Sequence, residues 1–351
     1  MTDQDKSRPP AGVAATLHER ALVIDGLVFQ CDGSTAALKA GGVNAVNVTV
    51  SGLNADFEEA CDQIAEWLHR CGQPDSEWRI VREVADIQVA RQAGKIGLIM
   101  GWQNMRGIAD NLKRLRLFHR LGLRVMQLTY NERNFMGDGC LEPNDGGLSL
   151  LGRKAVAEMN SLGIAIDLSH VGERTCLDAA SLSTRPVLLT HANAKAVSNV
   201  PRNKTDAVIK AVAGTGGLIG VSVYGPMCWD GDPAHRPALR DFLRHLDHIA
   251  GLVGHDHVAL GTDFPAVRDL ASVGNIIQMT LDRYPAAISK YAAAFGNDVR
   301  TRYLAECGVP NEIPAITAAL LDHGWTPAQI EAFLGGNYLR VLAQIWGSAG
   351  A

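Results

Sequence analysis

Long apolar runs are missing from this 351-residue chain, and so is any excess of basic charge. No window approaches the roughly 20 apolar residues that a membrane-spanning helix requires, so no membrane association is expected. Lys and Arg number 33 against 37 Asp and Glu, a formal charge of −4, and the basic residues are dispersed along the chain. Without a basic stripe to follow a phosphate backbone, nucleic acid is not an expected partner. The seven cysteines are an odd set with no CxxC pair, which argues against a disulfide framework and for a reduced chain. The opening residues, MTDQDKSRPPAGVAA, hold no apolar stretch of signal-peptide length. These absences together lead to the expectation of a cytoplasmic protein that acts on a small molecule.

What is present is enough apolar material for a large core, at 47% hydrophobic and 20% charged residues. Eight short apolar runs recur at 21–27, 43–50, 95–102, 124–130, 164–170, 186–192, 217–224 and 257–264. Their near-continuous apolar character is that of strands covered on both faces. Between most of them lie segments with apolar residues three and four apart, at 54–71, 109–121, 149–162, 171–182, 204–214 and 238–253, as helices covering a sheet show. Gly122 and Gly163 fall where helix C-caps belong. This pattern predicts an α/β fold, a (β/α)8 TIM barrel with a C-terminal helical extension. Residues 1–19 read as an N-terminal tail and 20–346 as one domain, with 265–346 supplying the added helices. The apolar face of 326–346 is expected to pack on its own barrel, with a homodimer contact as the alternative.

Barrel enzymes assemble their sites from the C-terminal ends of the strands. Those ends are polar here: Gln103 and Asn104, Tyr130 and Asn131, Ser169 and His170, His191 and Asn193, Tyr224, and Asp263. Two histidines on adjacent strands with an aspartate on the eighth suit a metal-assisted hydrolase. Imidazoles hold a cation, the cation acidifies a water, and the carboxylate carries the proton. Either histidine alone reads equally well as a hydrogen-bonded structural residue. The remaining candidates are set aside: His245 and His248 lack a carboxylate-rich context, and GTGG at 214–217 ends a helix rather than beginning one, the wrong polarity for a phosphate loop. Leu27, Phe29, Trp102 and Met105 are expected to make part of the pocket apolar.

The runs SLLGRKAVAEMNSLGIAIDLSHVGERT (149–175), RPVLLTHANAKAVSNVPRNKTDAV (185–208), HVALGTDF (257–264) and LGGNYLRVL (334–342) resemble the membrane (renal) dipeptidase family, peptidase family M19, over about residues 20 to 346. The resemblance implies an amidohydrolase-like barrel and a binuclear zinc dipeptidase. It gives His170 and His191 as ligands of one zinc, Asp263 as the proton-handling acid and Arg202 as the anchor of a substrate carboxylate. The family's first-strand motif, DGHND-like, supplies a His and an Asp to the other zinc, and here Leu27 and Phe29 stand in their places. Gln103 replaces the bridging glutamate, and Tyr130 stands where a substrate-contacting histidine is usual. The expectation is therefore a single-zinc hydrolase of an amide or peptide bond. Its candidate residues are His170, His191 and Cys140 for the metal, with Asp263, Tyr130 and Asn131 catalytic. Arg202, Gln103 and Tyr224 would bind substrate. Lyase or isomerase chemistry, or silent binding, are the competing readings.

Overall fold

The structure, a computed structural model, describes residues 11–347. Its strands are β1 (Val23–Cys31), β2 (Val43–Thr49), β3 (Trp78–Ile80), β4 (Ile96–Trp102), β5 (Leu123–Gln127), β6 (Ala165–Asp167), β7 (Leu188–Leu189), β8 (Leu218–Val221), β9 (Val258–Leu260) and β10 (Phe264–Ala266). All pairings are parallel and run β1-β2-β4-β5-β6-β7-β8-β9, with β10 paired back onto β1. β9 and β10 are two pieces of one run. One piece bonds β8 and the other β1, and this closes the ring. The junction is sealed by Thr262 N–H donating to Asp25 Oδ1 at 2.8 Å and Asp263 N–H donating to Leu27 O at 3.0 Å. Each of the eight anticipated runs overlaps a barrel strand. The short β3 pairs with the first half of β4 and β5 with the second half; three residues are too few to register as an apolar run.

The barrel floor shows the same count in its packing. Ile24, Ala45, Ile99, Val125, Ala165, Leu188, Leu218 and Ala259, one from each of the eight barrel strands, form a single buried cluster with Tyr338, Val341, Leu342 and Ile345. Each buried aliphatic side chain contributes about 1.5–3 kcal/mol. The plug is helix Asn337–Trp346, the last of the predicted extension. Space for it comes from glycine: a Cβ on Gly26 would lie 2.0 Å from the Tyr338 hydroxyl. The tail's apolar face is thus buried in its own barrel, and a homodimer through that face would have to strip it away.

The six anticipated helical segments are present as Phe57–Cys71, Lys113–Leu121, Leu150–Leu162, Glu173–Leu182, Asp206–Gly214 and Leu239–Val253. Gly122 (φ 120°) and Gly163 (φ 72°) end two of them in a left-handed conformation that other residues rarely adopt. Residues 11–19 of the expected 1–19 tail lie in helix Ala11–Arg20. Leu17 is buried there, and the His18 ring bonds Thr317 Oγ1 (2.7 Å) and Gly41 O (2.9 Å). The rest of the expected tail lies outside the described residues. Among the described residues, no helix is long and apolar enough to cross a membrane.

Candidate active site at the barrel mouth

Two similar polar clamps sit at the C-terminal ends of the strands. Asp167, the last residue of β6, accepts from Ser169 N–H (3.0 Å) and Ser169 Oγ (2.6 Å). Across the strand gap it also accepts from Thr190 N–H (3.0 Å) and Thr190 Oγ1 (2.6 Å). Asp25 in β1 repeats the arrangement, accepting from Leu27 N–H (3.2 Å), Thr262 N–H (2.8 Å) and Thr262 Oγ1 (2.5 Å). Both carboxyls are buried, and buried polar groups are tolerable only when bonded in this way. Each threonine is followed by a residue of the mouth, His191 in one case and Asp263 in the other.

The first clamp fixes the proton on His191. Thr190 Oγ1 spends its hydrogen on Asp167, so at 2.8 Å from His191 Nδ1 it accepts, and Nδ1 carries the proton. His170 Nδ1 lies 2.7 Å from Asn131 Oδ1, an acceptor as that amide is oriented, so its proton is on Nδ1 too. Burial first, then the charges of Arg202 and Lys204, hold both imidazoles neutral, well below the ordinary histidine range. The unprotonated Nε2 atoms face each other at 3.0 Å. Two lone pairs aimed at one point repel unless a positive charge lies between them.

Around this pair the mouth opens into a cavity of about 940 Å³ lined by Gln103, Tyr130, Asn131, His170, Arg202, Tyr224 and Asp263 among others. Asp263 adopts φ 62°, a left-handed backbone uncommon for a non-glycine residue. Its N–H to Leu27 and a hydrogen bond from Tyr303 Oη to its carbonyl at 2.5 Å hold it there. Burial, opposed by Arg202 and reinforced by Asp25, raises its carboxyl to about 7. Arg202 donates to the Ser169 and His191 carbonyls and has no carboxylate partner among the described residues. The Tyr130 ring stacks on His170 at 4.0 Å, burial keeps its phenol protonated, and its hydroxyl has no hydrogen bond among the described residues. The lid is made of helices Gly274–Arg283 and Pro285–Phe295, and a bidentate pair from Arg283 to Glu132 ties it to the loop after β5. Glu59, Asp62 and Glu66 of helix Phe57–Cys71 line the outer part of the cavity.

Eight of the nine anticipated site residues line this cavity or face its histidine pair. Cys140 is the correction. Its N–H bonds His170 O (2.8 Å) and its Sγ bonds Asn131 Oδ1 at 3.3 Å, the same oxygen that holds His170 Nδ1, so the thiol sits at the Nδ1 side of that ring and not with the Nε2 pair. Among the described residues, no group of three His, Cys, Asp or Glu side chains is placed to hold a metal ion. His170 and Cys140 both bond the carbonyl oxygen of Asn131, so the Asn131 Nδ2 and the Tyr130 hydroxyl, both at the cavity, have no hydrogen-bond acceptor among the described residues. Gln103 donates to Thr49 Oγ1 at 2.7 Å. Leu27, Trp102 and Met105 are buried and do not line the cavity, where Phe29 alone of the expected apolar set lies; Val50, Leu53, Ala55 and Trp67, with Ile276, Ile277, Met279 and Ile288 of the lid, add further apolar lining. His245 is a buried structural residue accepting from Ala194 N–H (3.2 Å), and His248 pairs with Asp206. Sequence reasoning missed Arg302 and Tyr303, which also line the mouth.

A closed barrel with paired imidazoles, an acid and a guanidinium at its C-terminal mouth has the layout of the barrel hydrolases. The chain belongs to the membrane dipeptidase family, peptidase family M19, whose family model matches residues 30–284. It is similar to the dipeptidase tcpJ of Claviceps purpurea, with 29% identity over 262 residues, which is 74% of this chain and 53% of that protein. It thus spans about half the length of that relative. An amidohydrolase from Pseudomonas aeruginosa superposes with a TM-score of 0.83 at 30% identity, covering 95% of this chain and 99% of that one. A Rhodobacter sphaeroides metallo peptidase, liganded with a phosphinate mimic of the dipeptide L-Ala-D-Ala, shares the fold with a TM-score of 0.74 at 22% identity, covering 93% and 99%.

The family implies a metal, and the donor set can be tested against it. Leu27, Phe29 and Gln103 offer no charged ligand, so a two-cation centre does not fit. The convergent Nε2 atoms of His170 and His191 do fit one cation. Catalytic zinc usually has three protein ligands, and here two are in place.

Proposed function

We propose that this chain is a hydrolase that cleaves an amide or peptide bond in a small carboxylate-bearing substrate, with at most one cation, zinc by preference, on His170 and His191. The observation that carries the reading is the pairing, in one cavity, of an acid tuned to about 7 with a guanidinium that lacks a carboxylate partner. Arg202 would take the substrate carboxylate, for which its planar fork is suited. Asp263 as carboxylate accepts a proton from the attacking water and returns it to the leaving nitrogen, and a value near neutrality suits both tasks. The free Tyr130 hydroxyl donates to the oxygen on which negative charge develops. The lid limits access of bulk water. A divalent cation bound at the imidazole pair supplies Lewis acidity and a more acidic water. Seven free cysteines suit a reducing compartment, which supports a cytoplasmic setting.

The test is turnover of a panel of dipeptides and N-acyl amino acids in heavy-oxygen water, with the metal content of the same preparation measured by elemental analysis. Hydrolysis places one solvent oxygen in the new carboxylate. Product without that label would replace this reading with lyase or isomerase chemistry, and binding without product would replace it with a silent binder.

A further inference from the structure

Arg302 is the most fully buried cation at the mouth, with 1% of its surface exposed. It nevertheless has no carboxylate within ion-pair distance among the described residues. Its partners are two neutral oxygens: Nη1 donates to Tyr224 Oη at 3.3 Å and Nη2 to Asn297 Oδ1. Its buried Nε has no partner at all among the described residues. A buried charge left without a counter-charge costs several kcal/mol, so such residues are rare unless something completes them. Arg124 provides an internal contrast. It is also buried, but it lies away from the cavity and donates to the carbonyls of Arg82, His119 and Leu123. Arg302 has no such set of carbonyls, and it lines the cavity.

Its placement is built into the mouth. An isolated antiparallel bridge joins Tyr224 to Tyr303, and Tyr303 Oη reaches the carbonyl of Asp263. These two links fix the 302–303 segment to the end of β8 and to the junction that carries the acid. Arg202 and Arg302 both act on the Tyr224 phenol, favouring its ionised form against the burial that raises it. Tyr224 therefore bonds one guanidinium and shares the cavity lining with the other, and neither guanidinium has a carboxylate partner among the described residues.

We infer that Arg302, with Tyr224, forms a second anion subsite beside the one at Arg202, and that the substrate carries two carboxylates, as a dipeptide or N-acyl amino acid with an acidic side chain does. The amide in that substrate rests on the function proposed above, whereas the two-point recognition does not. An Arg–carboxylate contact would supply the missing charge and offer acceptors to the unfilled guanidinium hydrogens.

Binding without turnover tests this separately from hydrolysis. Isothermal titration of the full chain with malonate, succinate, glutarate and adipate is compared with titration by butyrate. At least one dicarboxylate is expected to bind about tenfold or more tightly than butyrate, the worth of one added charge-assisted contact. R302Q should bring that ligand down to the butyrate level, R302K should keep part of the preference, and R202Q should weaken every ligand. A wild-type protein that binds all four dicarboxylates no better than butyrate overturns the inference, whether or not the variants fold. So does an R302Q protein with a wild-type melting temperature and an undiminished preference. Loss of heavy-oxygen incorporation with the dicarboxylate preference intact would count against the proposed hydrolysis and leave this subsite standing.

Discussion

The clamp at β6 and β7 and the clamp at β1 and the β9–β10 junction are built alike, each an aspartate bonded to the threonine of a neighbouring strand end. The side chains beyond them differ. Past Asp167 and Thr190 stand His170 and His191, with lone pairs converging at 3.0 Å. Past Asp25 stand Leu27 and Phe29, which can hold neither a cation nor a proton. The threonine of that second clamp still delivers Asp263. A polar scaffold of this kind is a structural requirement of the barrel, since its buried carboxyls need donors wherever they lie. The chemistry is carried by the positions around it, and these can change on one side of the mouth without disturbing the other. The Asp25 side thus contributes the acid, and the Asp167 side the guanidinium of Arg202 and the imidazole pair.

The largest effect is expected where the mouth has a single group for a single task. D263N keeps the size of the side chain and the left-handed backbone, which Asn tolerates, but removes the base. We expect kcat/KM to fall by about 10²–10⁴-fold with little change in melting temperature. The pH profile gives an independent check. With its carboxyl raised to about 7, Asp263 becomes a competent base only as pH rises through that value. Wild-type kcat/KM should therefore climb across about pH 6–8 and fall on the acid side, and the residual activity of D263N should lack this step. A wild-type profile flat through 7 would assign the proton transfer elsewhere.

Tyr130 ranks next. Its hydroxyl is protonated, unengaged and on the same side of the mouth, so Y130F should lower kcat by about 10–10²-fold, towards the lower end of what removal of an oxyanion donor costs. KM should move little, because the contact forms with developing charge. The stacking on His170 survives in phenylalanine. A raised KM with unchanged kcat would make Tyr130 a substrate-positioning residue instead.

The barrel was legible in the sequence because strands buried on both faces leave continuous apolar runs, and eight such runs alternate with helical spacing. Its mouth was legible too, since His170, His191 and Asp263 fall directly at strand ends. Two misreadings have physical causes. Cys140 is close in sequence to the mouth, but its loop folds back through the Cys140 and Leu141 amides onto His170 O and Asn131 O, which sets the thiol on the Asn131 oxygen that holds His170 Nδ1. Arg302 lies about forty residues beyond the last barrel strand, in no motif. The pairing of Tyr224 with Tyr303 and the bond from Tyr303 Oη to Asp263 O, tertiary contacts with no local signal, bring it to the cavity. Likewise Trp102 turns outward to pack on Phe118 at 5.4 Å and to bond Gly52 O, so the apolar lining comes from the segment after β2, from Trp67 and from the lid rather than from β4.

The comparison between the two clamps can be broken by restoring what one lacks. Phe29 lines the cavity, Leu27 lies two residues earlier on β1, and Gln103 ends β4 on the same wall. Resemblance to the family puts a histidine, an aspartate and a glutamate at these positions. If the Asp25 clamp is a sound platform that has lost only its ligands, then L27H, F29D and Q103E together should raise zinc content from at most about one to about two per chain, because three charged or imidazole donors are what a catalytic cation needs. Q103E alone should not, since one carboxylate cannot replace the first-strand pair. Elemental analysis after dialysis against a weak chelator reads the result, and circular dichroism confirms that the triple variant is folded. A folded triple variant that still holds no more zinc than wild type would mean that the two sides differ in backbone as well as in side chains. The register shifts of β1 at Asp25/Val28 and Val28/Gln30 would then be the place where the second centre was lost.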